Sequence, residues 1–417
     1  MSGNVVVSQL GARMHYAVPR ILHQAGRLER LYTDICAVKG WPRALGTVPI
    51  ALPSALRRLR GRLPDDIPPE LIHCFEGIGL AAALGRMLDR SQTADIRVGL
   101  RVARRFSSAV VRSGFGSAKG FYGISGECLE QIRAARARGL WTVVEQINAP
   151  RQVVDRLVAT EVKRHPGWET PLEYSPVTEE LAAREKAEWN SADLVVCPSE
   201  FVRDGIAAVG GPVERCVIVP YGVDSRFALP PREKRNHGPL RVLTVGAVGL
   251  RKGSPYIFEA ARRLRGLAEF RLVGPVGVPR ELQRKLGENV ELTGTVPRYE
   301  IVAHYTWADV FLLPSVCEGS ATVIYEALAA SLPVVTTPNA GSVVRDGIEG
   351  YICPPADTVS LCEKLELLAR DADALRTMSR QAASRAEDYG LAGYGLRLID
   401  ALDLASARAS RESRKVA

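Results

Sequence analysis

Two glutamates eight residues apart, Glu318 and Glu326, stand in the stretch VFLLPSVCEGSATVIYEALAASLPVVTT, between two apolar runs of strand composition. Phe311 to Pro314 reads as a buried strand, Thr322 to Ser331 as a helix and Leu332 to Thr337 as a further strand. Glu318 then falls on a strand-to-helix loop. Gly319 removes a side chain where the backbone turns, and the N–H groups of Ser320, Ala321, Thr322 and Val323 open the helix as unpaired donors. Such a terminus attracts phosphate. Glu326 lies about one helical turn further in and can face the same cleft while reaching another part of a ligand. One carboxylate could serve a sugar and the other a ribose; the plain alternative is two solvated carboxylates on an ordinary loop and helix.

A second group lies upstream. Gly246-Ala247-Val248-Gly249-Leu250-Arg251-Lys252-Gly253-Ser254 follows a strand and precedes a helix beginning near Pro255, a phosphate-binding context. It is not a Walker loop, because its lysine precedes the glycine, and it lacks G-x-G-x-x-G. Gly294-Thr295-Val296-Pro297-Arg298 also follows a strand and could meet a nucleotide base through backbone groups. The D-x-D at Asp371 to Asp373 sits in a polar stretch between helices and reads as solvated carboxylates.

The glutamate stretch resembles the E-x7-E motif of retaining glycosyltransferases of family 4, whose fold is GT-B: α/β, two Rossmann-like parallel-sheet domains facing a central cleft, with a C-terminal helix crossing back to the first domain. The resemblance implies that Glu318 contacts the transferred sugar, that Gly319, Ser320, Ala321, Thr322 and Val323 hold the diphosphate, and that Glu326 binds the ribose. It also implies donor contacts at Gly11, Gly246, Gly249, Val296 and Arg298. Lys252 matches the family's diphosphate lysine, while the usual first arginine is Ala247, with Arg251 placed to compensate. The usual Gly-Phe-Gly after the first glutamate is Gly319-Ser320-Ala321. The implied reaction moves a hexose from a nucleotide diphosphate sugar to a glycan, lipid-linked or small-molecule acceptor, with Glu318, Lys252 and Arg251 as the catalytic set. Preorganised donors and cations stabilise the departing diphosphate, so no metal and no cofactor is required. The alternatives are a GT-B sugar-nucleotide epimerase and a non-catalytic sugar-nucleotide-binding protein.

The 417 residues suffice for two domains with extended cores. Alternating strand and helix patterns run end to end and argue for parallel sheets covered on both faces. Residues 1–228 are expected to form an acceptor-side domain and 229–239 a linker. Residues 240–387 are then the nucleotide-sugar domain, and 388–417 a returning helix with a frayed tail. Strands are expected at Asn4 to Gln9, Leu71 to Phe75, Gly120 to Ile124, Trp141 to Ile147, Leu194 to Pro198 and Cys216 to Pro220. A helix is expected after Gly11-Ala12-Arg13, with His15 at its start. Tyr221-Gly222-Val223-Asp224 with Phe227 resembles the turn that ends the first domain in this family. Arg13, His15, Ser125, Gly126 and Glu145 stand at carboxyl ends of strands, where open α/β sheets bind ligands, and are acceptor-side candidates. His73, within a strand, reads as a core histidine. Ala37 to Pro69, rich in proline and arginine, reads mostly as loop.

Eight scattered cysteines without C-x-x-C spacing read as reduced thiols of a cytoplasmic protein. No signal peptide or membrane span is legible. The net charge of +9 is uneven. No acid occurs between Asp95 and Glu127, and Arg97, Arg101, Arg104, Arg105 and Arg112 share one helical stripe opposite Leu100, Val102, Ala103, Phe106 and Val110. That helix either lies on anionic lipid at the inner face of the cytoplasmic membrane or packs its apolar face on the core. Arg57 to Arg62 adds a second basic patch. No RNA-type aromatic motif or zinc finger accompanies the charge, so nucleic acid is not an expected partner.

Overall fold

The computed structural model describes residues 3–46, 59–88, 92–170, 175–232 and 238–416. Its first sheet is built from β1 (Val5–Ser8), β2 (Leu28–Thr33), β3 (Ile72–Cys74), β4 (Gly120–Ile124), β5 (Trp141–Glu145), β6 (Leu194–Cys197) and β7 (Cys216–Ile218). The second uses β8 (Leu240–Val245), β9 (Ala268–Val273), β10 (Val290–Gly294), β11 (Val310–Leu313), β12 (Val334–Thr336) and β13 (Gly350–Ile352). Strand orders are β3-β2-β1-β4-β5-β6-β7 and β10-β9-β8-β11-β12-β13, and the pairing within both sheets is parallel.

Between the strands of the first sheet run α1 (Ala17–Gln24), α2 (Glu76–Leu88), α3 (Gln92–Ser113), α4 (Leu129–Ala137), α5 (Arg151–Arg164), α6 (Pro176–Ser191) and α7 (Glu200–Ala208). The second domain adds α8 (Ser254–Arg263), α9 (Arg280–Gly287), α10 (Ile301–Trp307), α11 (Thr322–Ala329), α12 (Thr358–Arg370) and α13 (Ala372–Asp388). The last helix, α14, is Leu391–Val416. The architecture is the two-domain GT-B arrangement.

Both faces of the first sheet are buried, as the near-continuous Val/Ile/Leu runs require. Val5 and Val7 look toward α1 and α14, in a core with Tyr122, Val143, Leu194, Tyr394 and Leu398. Val6 looks the other way, with Phe121, Val144 and Val195, toward Phe106, Ile132, Trp189 and Ile206. The last helix therefore follows the second domain in sequence but completes the core of the first. Val223 bridges Gly390, and Tyr221 meets Tyr394 edge-on at 6.0 Å, so the turn ending the first domain and the entry to α14 lie side by side.

Several expectations need correction. The strand LERLYT, β2, was not anticipated: its apolar positions (Leu28, Leu31, Tyr32) do not alternate cleanly with polar ones, and Glu29 and Arg30 break the run. His15 does not start a helix. It lies in a short 3-10 segment (Arg13–Tyr16) where Met14, His15 and Tyr16 have φ of 44°, 52° and 59°, and α1 begins only at Ala17. The tail expected to fray continues as helix to Val416. The basic helix, α3, packs Leu100, Val102, Ala103, Phe106 and Val110 inside the protein and leaves its arginines in water, so its apolar face is not available to lipid. Among the described residues no helix is long and apolar enough to cross a membrane. Residues 47–58 of the Ala37 to Pro69 stretch, among them Arg57 and Arg58, and Lys234, Arg235 and Asn236 of the expected linker lie outside the described residues.

Because Leu398 of α14 is fully buried in the first domain's core, Leu398→Ala should lower unfolding stability by about 2–5 kcal/mol. Urea denaturation checks this; an unchanged midpoint would mean the helix is merely resting on the domain.

Candidate functional site

The loop from Cys317 to Ala321 is fixed from three directions. The N–H groups of Val316 and Cys317 donate to the Arg251 carbonyl at 2.9 and 3.3 Å, and the Glu318 N–H donates to the Asn339 carbonyl at 3.0 Å. Gly319 faces the first domain: a Cβ there would lie 1.8 Å from the Ile147 carbonyl oxygen, so only glycine permits this approach. Ser199, the N-cap of α7, donates its hydroxyl to the Gly319 carbonyl at 2.5 Å. Ser320 is buried; it donates to the Gly341 carbonyl at 2.8 Å and lies 2.9 Å from the Tyr325 hydroxyl. One expected donor is taken, since the Ala321 N–H bonds the Ala340 carbonyl at 3.0 Å. Among the described residues, the N–H groups of Ser320, Thr322 and Val323 are left open at the start of α11.

Each of the spaced glutamates faces a cation. Lys252 Nζ is 2.9 Å from Glu318 Oε1, and an Arg251 terminal nitrogen is 4.0 Å from Glu318 Oε2. Gly246 makes room for that lysine: its φ is 153°, and a Cβ would meet Lys252 Cε at 3.0 Å. Arg251 Nε is buried without a hydrogen-bond partner among the described residues. Gly249 and Leu250 are less open than their glycine-rich sequence implied. The Gly249 N–H donates to Ser254, and the Leu250 N–H to Glu169 of the first domain at 2.6 Å.

Glu326 accepts a 2.8 Å hydrogen bond from the Tyr305 hydroxyl and lies 3.9 Å from Arg298. Burial raises its pKa, against the pull of Tyr305 and Arg298. Tyr305 is fully buried between Phe227 and Phe311, so its hydroxyl is a fixed reference for the carboxylate. Tyr305 was not anticipated; a tyrosine on an apolar helix face, needing a partner for its hydroxyl, was the available signal. Val296 packs against the core beside this point. From Glu326 and Thr322 a cavity of about 760 Å³ opens toward His15, Arg20, Arg226 and the α1 and α14 faces. Burial, with Arg298 and Arg226 nearby, lowers the His15 pKa, which leaves the ring uncharged at neutral pH.

The first-domain candidates divide. Gly11 donates its N–H to Asp34 at 2.9 Å, and Arg13 pairs with Glu127 at 2.8 Å near the cleft. Ser125 and Gly126 direct their polar groups to Glu188, a buried carboxyl that also accepts from the Cys128 N–H. Glu145 is 4% exposed, clasped by the Tyr122 and Tyr221 hydroxyls at 2.8 and 3.0 Å. Glu145 is committed to the fold and does not reach the cleft surface as expected, while Ser125 and Gly126 stay partly exposed beside their contacts to Glu188. His73 touches the Tyr32 and Phe75 rings but is only half-buried, so it is not the core histidine expected. Among the described residues no group of three or more His, Cys, Asp or Glu is arranged to hold a metal ion, and Asp371 caps α13.

Comparison with known proteins places this geometry in context. Residues 239–371 match the family described as glycosyl transferases group 1. The colanic acid biosynthesis glycosyltransferase WcaL of Escherichia coli, itself a putative assignment, is 28% identical over 273 residues, 61% of this chain and 63% of that protein. A GDP-mannose-dependent phosphatidylinositol monomannoside mannosyltransferase of Mycolicibacterium smegmatis is 31% identical over 40% of this chain and 50% of its own length. The chain thus spans under two thirds of the length of these relatives. Among solved structures, a sucrose-phosphate synthase from Thermosynechococcus elongatus superposes with TM-score 0.66 at 15% identity, covering 97% of this chain and 99% of that one. Anabaena Alr3699/HepE, solved with UDP and glucose, gives 0.61 at 14% identity, covering 96% and 99%.

Two outcomes test the site's construction. Gly319→Ala should lower stability by about 1–3 kcal/mol and part the domains at this edge, since a backbone carbonyl cannot yield as a side-chain tip can. Small-angle scattering would register a larger radius, and an unchanged radius would contradict the close approach. The raised Glu326 pKa means the fold favours its protonated form. Its contribution is complete below the ordinary carboxylate range and is lost as pH rises through the raised value. Glu326→Gln should therefore melt with wild type at pH 4 and above it at pH 8; equal melting at both would remove the burial cost.

Proposed function

With its second domain grouped among the group 1 glycosyltransferases and its fold that of GT-B, we propose that the chain is a retaining, metal-independent hexosyltransferase. It takes the hexose from a nucleotide diphosphate sugar and passes it to a glycan, lipid-linked or small-molecule acceptor. The observation that carries the reading is the opening of α11: two carboxylates, each opposite its own cation, with the open N–H groups of Ser320, Thr322 and Val323 between them.

In this reading the diphosphate lies on those N–H groups, where the helix dipole and backbone donors both favour an anion. Lys252, released from Glu318, turns to the phosphates, and Arg251 brings its unpartnered nitrogen to the same place. As the sugar–phosphate bond lengthens, charge accumulates on the leaving group, and these fixed donors stabilise it without solvent rearrangement. The freed Glu318 carboxylate takes the sugar hydroxyls near the reacting carbon. The acceptor attacks on the face from which phosphate departs, and the phosphate oxygen takes its proton, so no protein base is assigned. Glu326, held by Tyr305, accepts from the ribose hydroxyls, and the Val296 to Arg298 loop borders the base. Arg13 and the uncharged His15 stand on the acceptor side. The Anabaena protein has been solved with UDP and glucose and with UDP-glucose, which supports a nucleotide-sugar donor for this chain as well.

A thermal-shift panel of nucleotides and nucleotide sugars tests the claim, and no stabilisation of folded protein by any of them would sink it. Glu326→Ala should weaken nucleotide binding about tenfold, the loss of one charged hydrogen bond. Glu318→Ala should leave that binding largely intact and lower turnover about 100-fold or more. Transfer assays with both variants check the division of roles; equal and negligible effects would refute it. Breakdown or epimerisation of the donor with no acceptor present would favour the epimerase alternative.

A further inference from the structure

Behind the first-domain wall of the cleft, the sulfurs of Cys36 and Cys74 come within 3.2 Å. Parallel pairing puts them there. Thr33 at the end of β2 is registered against Cys74 at the end of β3, and the chain turns back over three residues to bring Cys36 alongside. Glycosyl transfer as proposed uses no thiol, so the pair has no part in it.

The two sulfurs differ in surroundings. Cys36 is fully buried, whereas Cys74 is partly exposed and gives the pair its side toward solvent. The two sulfurs hydrogen-bond each other, and either can be the donor. That bond outweighs burial and brings the Cys36 thiol down to about 7, and the same bond, with burial, pushes Cys74 up. The Lys39 ammonium is engaged elsewhere, at the Pro69 and Ile72 carbonyls at 3.1 and 2.6 Å. A thiolate with a second thiol in contact is the arrangement from which a sulfenic acid resolves to a disulfide.

We propose that Cys36 and Cys74 form a peroxide-responsive dithiol that closes to a disulfide. The thiolate of one cysteine attacks one oxygen of hydrogen peroxide, the O–O bond breaks and hydroxide leaves, giving a sulfenic acid. The other sulfur then displaces that hydroxyl, which leaves with that thiol's proton as water. Two electrons pass from the sulfurs to the peroxide. The sulfurs need to close by about 1.2 Å to reach bonding distance, a movement within side-chain rotation. Asp34, two residues before Cys36, holds the Gly11 N–H and pairs with Arg62 at 3.0 Å, and Tyr16 of the left-handed turn lies against the same cysteine.

The test uses the full reduced protein, treated with a small excess of hydrogen peroxide, then alkylated and peptide-mapped. The expected product has lost about 2 Da and carries a Cys36–Cys74 linked peptide, with Cys197 and Cys216 alkylated. Cys74→Ser and Cys36→Ser should each give no bridge, and a sulfenic acid on the remaining cysteine should be trapped by a 1,3-dione reagent. Two results would overturn the assignment: all thiols alkylated after treatment, or a bridge formed at Cys197 and Cys216 instead. Both readings come from wild type, so they hold even if a variant folds poorly, and neither depends on glycosyl transfer.

Discussion

The site depends on one missing side chain. At Gly319 the donor-side loop meets the Ile147 carbonyl of the other domain at a distance no Cβ could share. That contact sets how close the two domains stand, and the Ser199 hydroxyl on the Gly319 carbonyl marks the same point with a directional bond. Everything measured across the cleft follows from this spacing. The left-handed turn at Met14 to Tyr16 shares a cavity with Glu326 because the two domains touch one edge away. A second attachment lies on the far side, where α5 reaches over and Glu161 binds the Tyr256 hydroxyl while Trp168 packs near Phe258. The cleft is thus bounded by backbone contact on one side and by a buried polar and aromatic contact on the other.

The charges of the site are matched internally. Glu318 holds Lys252, and Glu326 lies between Tyr305 and Arg298. Such pairs keep side chains extended into the cleft in the geometry a ligand will need, and they offset part of the desolvation that burial imposes. On the proposed reading, entry of an anion is an exchange of partners, in which a phosphate at α11 competes with Glu318 for Lys252.

Much of this was legible in the sequence, and the limits have physical reasons. The E-x7-E spacing, the strand runs around it and the Lys-Gly pair are local signals, and local structure placed them as expected. The fold class followed from the regular alternation of strand and helix. What escaped were features set by distant partners. Glu145 stands at a strand end, as ligand-binding residues do, yet two tyrosines from elsewhere in the chain occupy it, and Glu188 draws on its neighbours Ser125 and Gly126. Tyr305 shows no motif, and its role exists only because α10 crosses behind α11. The basic stripe of α3 had two readings from sequence alone, and only the packing of Phe106 and Val110 into the first domain separates them.

The return of α14 to the first domain has a consequence for how the molecule is made. Tyr394, Leu398, Ala401, Leu402 and Ala405 fill a face of the first sheet, yet they emerge from the ribosome after the entire second domain. During synthesis the first domain must wait with an apolar face uncovered while the second, whose strands are contiguous in sequence, can close on its own. The half that completes last is the half translated first. Truncations and fusions near the carboxyl end therefore act on a domain more than 150 residues upstream, and the bridge between Val223 and Gly390 is where that late closure is sealed.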